Sequence, residues 1–217
     1  GLVGRVPALE FAPDGRALAV GDGETGRGGW IRLARIAEGA ADPVQAWFEG
    51  APRSWRAHGD SVYDLDFSHD GRRLVSAGGD RLVRVWEVES RKEIAALEGH
   101  TAQVLAAAFN TNATQVVSGG ADRQIKVWDI ATREKIVALG NAQAVVTAVA
   151  WPGDGAAIYA ATEAGAVFRY TQLKPHTGEQ SSATADERQI GTVPEAALAL
   201  AVSVRSEEHT SELQSRL

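Results

Sequence analysis

The sequence predicts an all-β protein built from repeated four-stranded antiparallel units. The first observation is an internal repeat: residues 57–98 and 99–140 share 14 identities in 42 positions without a gap. The second is the content of each copy, which has a histidine near its start and a tryptophan followed by an acidic residue further on. The third is the recurrence of apolar runs on either side of Asp-Gly turns, a strong hairpin signal. A period in the low forties with these ends is typical of a propeller blade. The predicted fold class is therefore a partial β-propeller of about four blades plus one strand of a fifth.

The first blade is expected at about residues 6–57. Residues 8–11 and 17–20 flank an Asp-Gly turn and are predicted to pair as a hairpin, and residues 30–34 alternate like a half-buried strand. Between them, residues 21–29 are too rich in glycine for a strand interior. We expect this glycine segment to form an extended turn at the propeller rim.

The second and third blades are expected at about residues 58–99 and 100–140. In the second blade, residues 62–67, 73–77, 82–88 and 94–97 are predicted strands. The third blade repeats them at a spacing of 42 residues. Its first turn lacks glycine, and we expect its asparagines to tolerate the left-handed backbone there.

The fourth blade, expected at about residues 141–194, keeps the apolar pattern but loses the polar residues of the repeat. Residues 173–188 are polar and predicted to form a loop, and residues 189–193 are a plausible fourth strand. Residues 196–203 resemble the first strand of a fifth blade.

The end of the chain does not follow this pattern. Residues 205–215 resemble the in-frame translation of a common DNA sequencing adapter, so residues 204–217 are expected to be a non-native tail. The chain has no methionine, so Gly1 is not expected to be a translation start. Because the pattern stops after the first strand of a fifth blade, and propellers typically close with about four to eight whole blades, we expect residues 1–203 to be a fragment of a longer propeller.

Composition excludes several classes of function. The formal net charge of -6 and the pI near 5.4 argue against a surface that neutralises phosphates, so nucleic acid is not an expected partner. The chain has no cysteine, hence no disulfide framework and no thiolate metal site. No apolar run is long enough to span a membrane. No cofactor and no metal are expected, and the composition leaves the cellular compartment open.

The polar residues of the two matching repeats stand at the positions of the WD-repeat (WD40) β-propeller family, which the chain resembles over nearly all of residues 6–203. That resemblance implies a hydrogen-bonded tetrad within each blade, formed by His58, Ser76, Asp80 and Trp86 and by His100, Ser118, Asp122 and Trp128. The chemistry is consistent with this arrangement. A buried indole N–H needs an acceptor, a hydroxyl can accept it and donate onward to imidazole, and a carboxylate fixes the histidine tautomer.

Three other interpretations of these motifs are weaker. A Ser-His-Asp hydrolase triad is disfavoured because the same set occurs twice at equal spacing. The glycine segment is not a phosphate loop, since a strand rather than a helix follows it. Asp22 and Glu24 could contact calcium, but they lack a regular ligand spacing.

A candidate binding face lies on the loops that join blades and that join second to third strands. Arg81 and Arg123 follow the two tetrad aspartates, while Tyr63 and Leu105 begin strands that line the channel. Arginine and tyrosine are enriched at binding hot spots. Separately, Trp47, Phe48 and Trp55 are expected to pack at the rim of the first blade or to contact a neighbouring domain.

The expected function is a non-catalytic scaffold that docks other proteins or other domains of the same chain. One alternative is the propeller module of a bacterial extracytoplasmic protein with c-type cytochrome-like domains, which the first blade also resembles. A second alternative is an enzyme with a site in the central channel. Asp64 and Asp66 align with Ala106 and Ala108 of the next repeat, so the repeats do not supply the ring of titratable residues that such an enzyme needs.

Overall fold

The computed structural model describes residues 5–35, 53–153, 155–171 and 186–192, which form sixteen β-strands and no helix. The first two sheets contain β1 (Arg5–Phe11), β2 (Ala17–Glu24), β3 (Gly28–Arg35), β4 (Arg53–His58), β5 (Val62–Phe67), β6 (Arg73–Gly78), β7 (Val83–Glu87) and β8 (Glu93–Leu97). The other two contain β9 (Val104–Phe109), β10 (Gln115–Gly120), β11 (Gln124–Asp129), β12 (Lys135–Asn141), β13 (Val146–Ala150), β14 (Ala157–Thr162), β15 (Ala166–Thr171) and β16 (Asp186–Thr192).

Each sheet is a four-stranded antiparallel meander in which consecutive strands are neighbours. The sheets therefore correspond to four blades. The first strands β1, β5, β9 and β13 contact one another in that order, so they lie on the inside and line a common channel. The predicted fold class, a partial β-propeller, is confirmed for the described residues.

The core consists of three apolar layers, one at each interface between neighbouring blades. Ile31 of the first blade packs with Leu74 of the second, and Val85 of the second packs with Val116 of the third. The third layer joins the third and fourth blades. Because an inner blade is covered on both faces, apolar residues face both ways along its strands, and full burial of each such side chain contributes about 1.5–3 kcal/mol.

The glycine segment differs from its predicted form. β2 extends to Glu24 and β3 begins at Gly28, so most of its glycines lie within a long hairpin rather than in a loop. The reason is a close approach by the connection between the first two blades. A Cβ on Gly29 would lie 2.3 Å from the carbonyl oxygen of Asp60, and one on Gly23 would lie 2.6 Å from the Cα of Ser61. Glycine is needed here for space, a requirement that composition does not distinguish from flexibility.

The first turn of the third blade also differs from the prediction. Its left-handed residue is Ala113, with φ of 52°, at the position of Gly71 in the second blade. Asn110 instead uses its side-chain oxygen to accept the N–H groups of Thr114 and Gln115. The asparagine therefore stabilises the turn as an acceptor, while an alanine takes the strained backbone.

Two strand limits also differ from the prediction. β1 begins at Arg5, three residues before the predicted start, and β16 begins at Asp186, within the predicted loop. The expected fifth-blade strand, the expected non-native tail, Trp47 and Phe48 lie outside the described residues. In the described part of the chain, no helix has the length and apolar character needed to cross a membrane.

Candidate functional site

The second blade contains a continuous chain of side-chain hydrogen bonds. The Asp80 carboxylate lies 2.8 Å from Nδ1 of His58, and His58 Nε2 lies 2.7 Å from Ser76 Oγ. The indole of Trp86 donates to the same Ser76 oxygen at 2.9 Å. Arg84 Nη1 also lies 2.8 Å from His58 Nδ1. With its proton on Nδ1, the neutral imidazole donates to the Asp80 carboxylate and its Nε2 accepts the serine O–H.

The third blade repeats this geometry. His100 Nδ1 lies 2.8 Å from the Asp122 carboxylate and Nε2 lies 2.8 Å from Ser118 Oγ, to which Trp128 donates at 2.8 Å. The Asp122 carboxylate also accepts the backbone N–H of Thr101. The network therefore fixes the connection that enters the blade to the blade's second and third strands.

Each network has a fifth member that sequence reasoning missed. Arg84 donates to the Asp80 carboxylate at 2.8 Å and pairs with Glu93. Lys126, only 2% exposed, donates to the carbonyl oxygen of Gly99 at 2.7 Å and lies 3.2 Å from the Asp122 carboxylate. Both stand two residues before the tryptophan, a signal that the aligned repeats already contain.

The electrostatics keep each pair as a neutral imidazole and an ionised carboxylate near neutral pH. Burial lowers the pKa of His58 and of His100, and this effect outweighs the neighbouring carboxylates. Burial by itself would raise the pKa of Asp80, but the imidazole of His58, the Arg84 guanidinium and the N–H of Gly59 together hold that pKa well below its usual range. The pKa of Asp122 is lowered in the same way by its partners.

These groups are poorly placed for nucleophilic chemistry. The hydroxyls of Ser76 and Ser118 are fully buried, and His58 and His100 are also buried. Each serine oxygen is engaged by both the imidazole and an indole N–H. A substrate carbonyl therefore has no open approach to either hydroxyl, and the geometry favours a structural role.

The fourth blade has none of the tetrad residues. Ala142, Ala160 and Tyr170 are buried at the positions of histidine, serine and tryptophan, and the position of the aspartate is an exposed Ala164. Phe168 occupies the position of the basic residue, and its ring centroid lies 6.3 Å from that of Tyr170.

The four candidate binding residues lie near one end of the second and third blades. Arg81 and Arg123 are exposed in the turns that follow β6 and β10, each with left-handed backbone (φ of 72° and 64°). Tyr63 and Leu105 are partly buried and line the channel. The pairing of Val62 with Gly78 places the start of β5 beside the turn that holds Arg81, and the third blade has the same register.

The acidic residues of the glycine segment are both paired with arginine. Asp22 is buried and accepts from Arg32 at 2.8 Å, whereas the more exposed Glu24 accepts from Arg27 at 2.9 Å. The described residues contain no group of three or more histidine, cysteine or acidic residues arranged to hold a metal ion. Trp55 packs edge-on against Trp86, with ring centroids 5.9 Å apart, and so belongs to the interface between the first two blades.

Comparison with known proteins finds matches in the region of the two repeats. The family model for the WD domain, G-beta repeat (WD40), matches residues 51–87 and 91–129. Mitochondrial division protein 1 of Chaetomium globosum is 48% identical over 52 residues, which are 24% of this chain and 8% of that protein. The guanine nucleotide-binding protein subunit beta-like protein of Encephalitozoon cuniculi is 41% identical over 54 residues, 25% of this chain and 16% of that protein. The Denticleless protein homolog of Gallus gallus is 32% identical over 58 residues, 27% of this chain and 8% of that protein.

The chain thus spans less than a fifth of the length of these curated relatives. All three are eukaryotic proteins, and they give no support to the alternative of a bacterial, cytochrome-linked protein. Among solved structures, the WD40 repeats of RRP9 are similar with a TM-score of 0.64 at 21% identity, covering 78% of this chain and 48% of that chain. The chain therefore contains WD40 repeats, and its described residues have the fold of a partial WD40 propeller.

Proposed function

We propose that this chain is a non-catalytic docking platform that binds other proteins or other domains of its own chain. The observation that carries the proposal is the pair Arg81 and Arg123, two exposed arginines at equivalent turns with left-handed backbone. The same backbone occurs at other turns, so what distinguishes this pair is its position beside Tyr63 and Leu105 at the start of the inner strands. Arginine and tyrosine are enriched at binding hot spots, so this grouping suits contact with a partner.

The surroundings suit a rigid recognition surface. Tyr63 and Leu105 provide partly exposed apolar area beside the two arginines, and Gln103 donates to the Tyr63 hydroxyl at 3.4 Å. The two buried networks hold the loops on either side in one conformation, which reduces the entropy lost on binding. Binding is therefore expected to centre on the second and third blades.

The test uses a matched pair of double variants. Arg81→Glu with Arg123→Glu reverses the charge of the candidate face. Arg91→Glu with Arg133→Glu makes the same change at two arginines that also repeat at 42 residues and also have positive φ, but that lie in the turns following β7 and β11, at the opposite end of the sheets. Quantitative affinity purification from cells of the source organism should show partners lost with the first variant and retained with the second. Equal partner sets for both variants and the unchanged chain would contradict the proposed face.

A further inference from the structure

The inner strands of the four blades line a groove of about 580 Å³. Three carboxyl groups face it: Glu10 from β1, and Asp64 and Asp66 from β5. β9 and β13 contribute no charged residue. The hydroxyl-bearing Tyr63 lines the groove, and the exposed His69 lines a neighbouring cavity that Glu10 and Asp66 also line. Among the side chains that the structure describes, no lysine or arginine lines the groove.

Asp64 and Asp66 also join two blades directly. The Asp64 carboxyl accepts the backbone N–H of Ala107 at 2.9 Å, and the Asp66 carboxyl accepts that of Phe109 at 2.7 Å. Both acceptors lie on β5 and both donors on β9, so the second and third blades are bridged twice. The third blade has Ala106 and Ala108 at the aspartate positions, which have no side-chain acceptor for the fourth blade.

The surroundings oppose charge on these groups. Burial raises the pKa of Asp64 to about 7 and that of Asp66 to about 7, although their backbone hydrogen bonds act in the other direction. The charge of Glu10 adds to both shifts, and burial raises the pKa of Glu10 itself. Three carboxylates without a facing cation would repel one another in the same groove.

We propose that the interface between the second and third blades is proton-linked: it is closed by Asp64 and Asp66 when they hold protons and loosens when they are ionised together with Glu10. This inference does not depend on the proposed docking function. It assigns the two aspartates a regulatory role in the fold that a purely structural bridge would not have.

Linkage fixes the direction of the effect. A closed interface that binds protons more tightly than an open, hydrated one is favoured at low pH. Its stabilisation is fully present below the ordinary aspartate pKa of 3.8 and is lost as the pH rises to about 7. Within that window each aspartate increases the open-to-closed ratio by up to about tenfold per pH unit, and above it the ratio levels off.

The experiment measures hydrogen exchange at the amides of Ala107 and Phe109 by NMR, corrected for the intrinsic exchange rate at each pH. Between pH 5 and pH 7 the opening constant of the unchanged chain should rise by about tenfold or more. The double variant Asp64→Asn with Asp66→Asn keeps an oxygen acceptor and removes the charge, so its opening constant should change by less than about threefold. Parallel slopes in the two proteins, or a flat profile in the unchanged chain, would overturn the proposal.

Two controls and a second measurement keep the result interpretable. Asp14→Asn, at an exposed turn, and His69→Gln should both retain the steep profile, and loss of the slope in His69→Gln would transfer the effect to the imidazole. Carbon-13 NMR of the aspartate carboxyls needs only the folded, unchanged chain, with single Asn variants used for assignment. Two carboxyl signals should titrate with midpoints near 7, and midpoints below about pH 5 would refute the proton linkage.

Discussion

Trp128→Ala tests how much the buried indole of the third-blade network contributes to the free energy of unfolding. The indole is 1% exposed, packs in the apolar layer between the second and third blades, and donates to Ser118. Truncating a buried tryptophan to alanine costs about 3–5 kcal/mol through lost burial and a residual cavity. Because single domains are stable by only about 5–15 kcal/mol, this variant should lose a large part of the free energy of unfolding.

The assay is urea denaturation followed by far-UV circular dichroism, since tryptophan fluorescence would itself change with the substitution. Trp128→Phe separates packing from hydrogen bonding, because it keeps most of the ring volume and removes the N–H donor. It should cost about 1–2 kcal/mol. Phe11→Ala is the control, because that ring is 54% exposed and its loss should cost under about 1 kcal/mol.

Two outcomes would refute the reasoning. A loss below about 1 kcal/mol for Trp128→Ala would mean that the indole is not part of a closed core. Equal losses for the Ala and Phe variants would mean that the hydrogen bond to Ser118, rather than packing, dominates. A changed urea m-value would instead indicate that the variant alters the surface exposed on unfolding.

Three further predictions concern the networks and the glycine hairpin. Lys126→Met should lower the free energy of urea unfolding by about 2 kcal/mol because it removes a cation from a buried carboxylate. Arg84→Met should lower it less because the Arg84 side chain is 18% exposed. An unchanged free energy of unfolding in Lys126→Met would show that Asp122 does not need the ammonium group. Gly29→Ala should lower the free energy of unfolding by at least about 2 kcal/mol because its Cβ clashes with the backbone of Asp60. In the control Gly153→Ala, the added Cβ meets nothing within 4 Å, so stability should change by less than about 0.5 kcal/mol. Equal melting temperatures for the two variants would contradict the close approach at Gly29. Burial lowers the pKa of His58 and His100. Below the ordinary histidine pKa of 6.5 the unfolded chain therefore binds more protons than the folded chain. These residues should make stability fall as the pH drops below about 6.5. Thermal melts at pH 5–7.5 in the Asp64→Asn, Asp66→Asn background, with and without His58→Gln and His100→Gln, isolate that slope, and an unchanged slope after histidine removal would assign it to other groups.

The repeat period predicted most of the strands because the same pattern of apolar and turn residues recurs at the same spacing in each blade. Aligning Val62 with Val104 places the start of both inner strands, and aligning Trp86 with Trp128 places both third strands near their observed positions. The same alignment brings the polar residues of each repeat into register. The connectivity of the two networks was expected from the resemblance to the WD40 family, and the hydrogen-bonding capacities of the four side chains are consistent with it.

The residues that the sequence did not place depend on contacts between blades. Lys126 stands between buried Ile125 and Val127 and was not recognised as buried, because its partner Gly99 lies 27 residues away. Asp64 and Asp66 looked too few to form a catalytic ring, and no sequence pattern shows that their acceptors reach the backbone of the next blade. The glycine hairpin was predicted as a loop because composition does not show which residues another chain segment approaches closely.

The fourth blade shows why the network members change together. A tetrad with one partner missing leaves a buried polar group unpaired, which costs about 1–3 kcal/mol, more if the group is charged. Replacing the histidine, serine and aspartate together with alanine, as the fourth blade does, leaves none of these three groups unpaired and avoids that cost. In that blade Ala142, Ala160, Ala164 and Tyr170 replace the tetrad, and Phe168 replaces the basic residue. The basic position is not tied to the tetrad in every blade, because Arg32 occupies it in the first blade beside Val20 and pairs there with the buried Asp22.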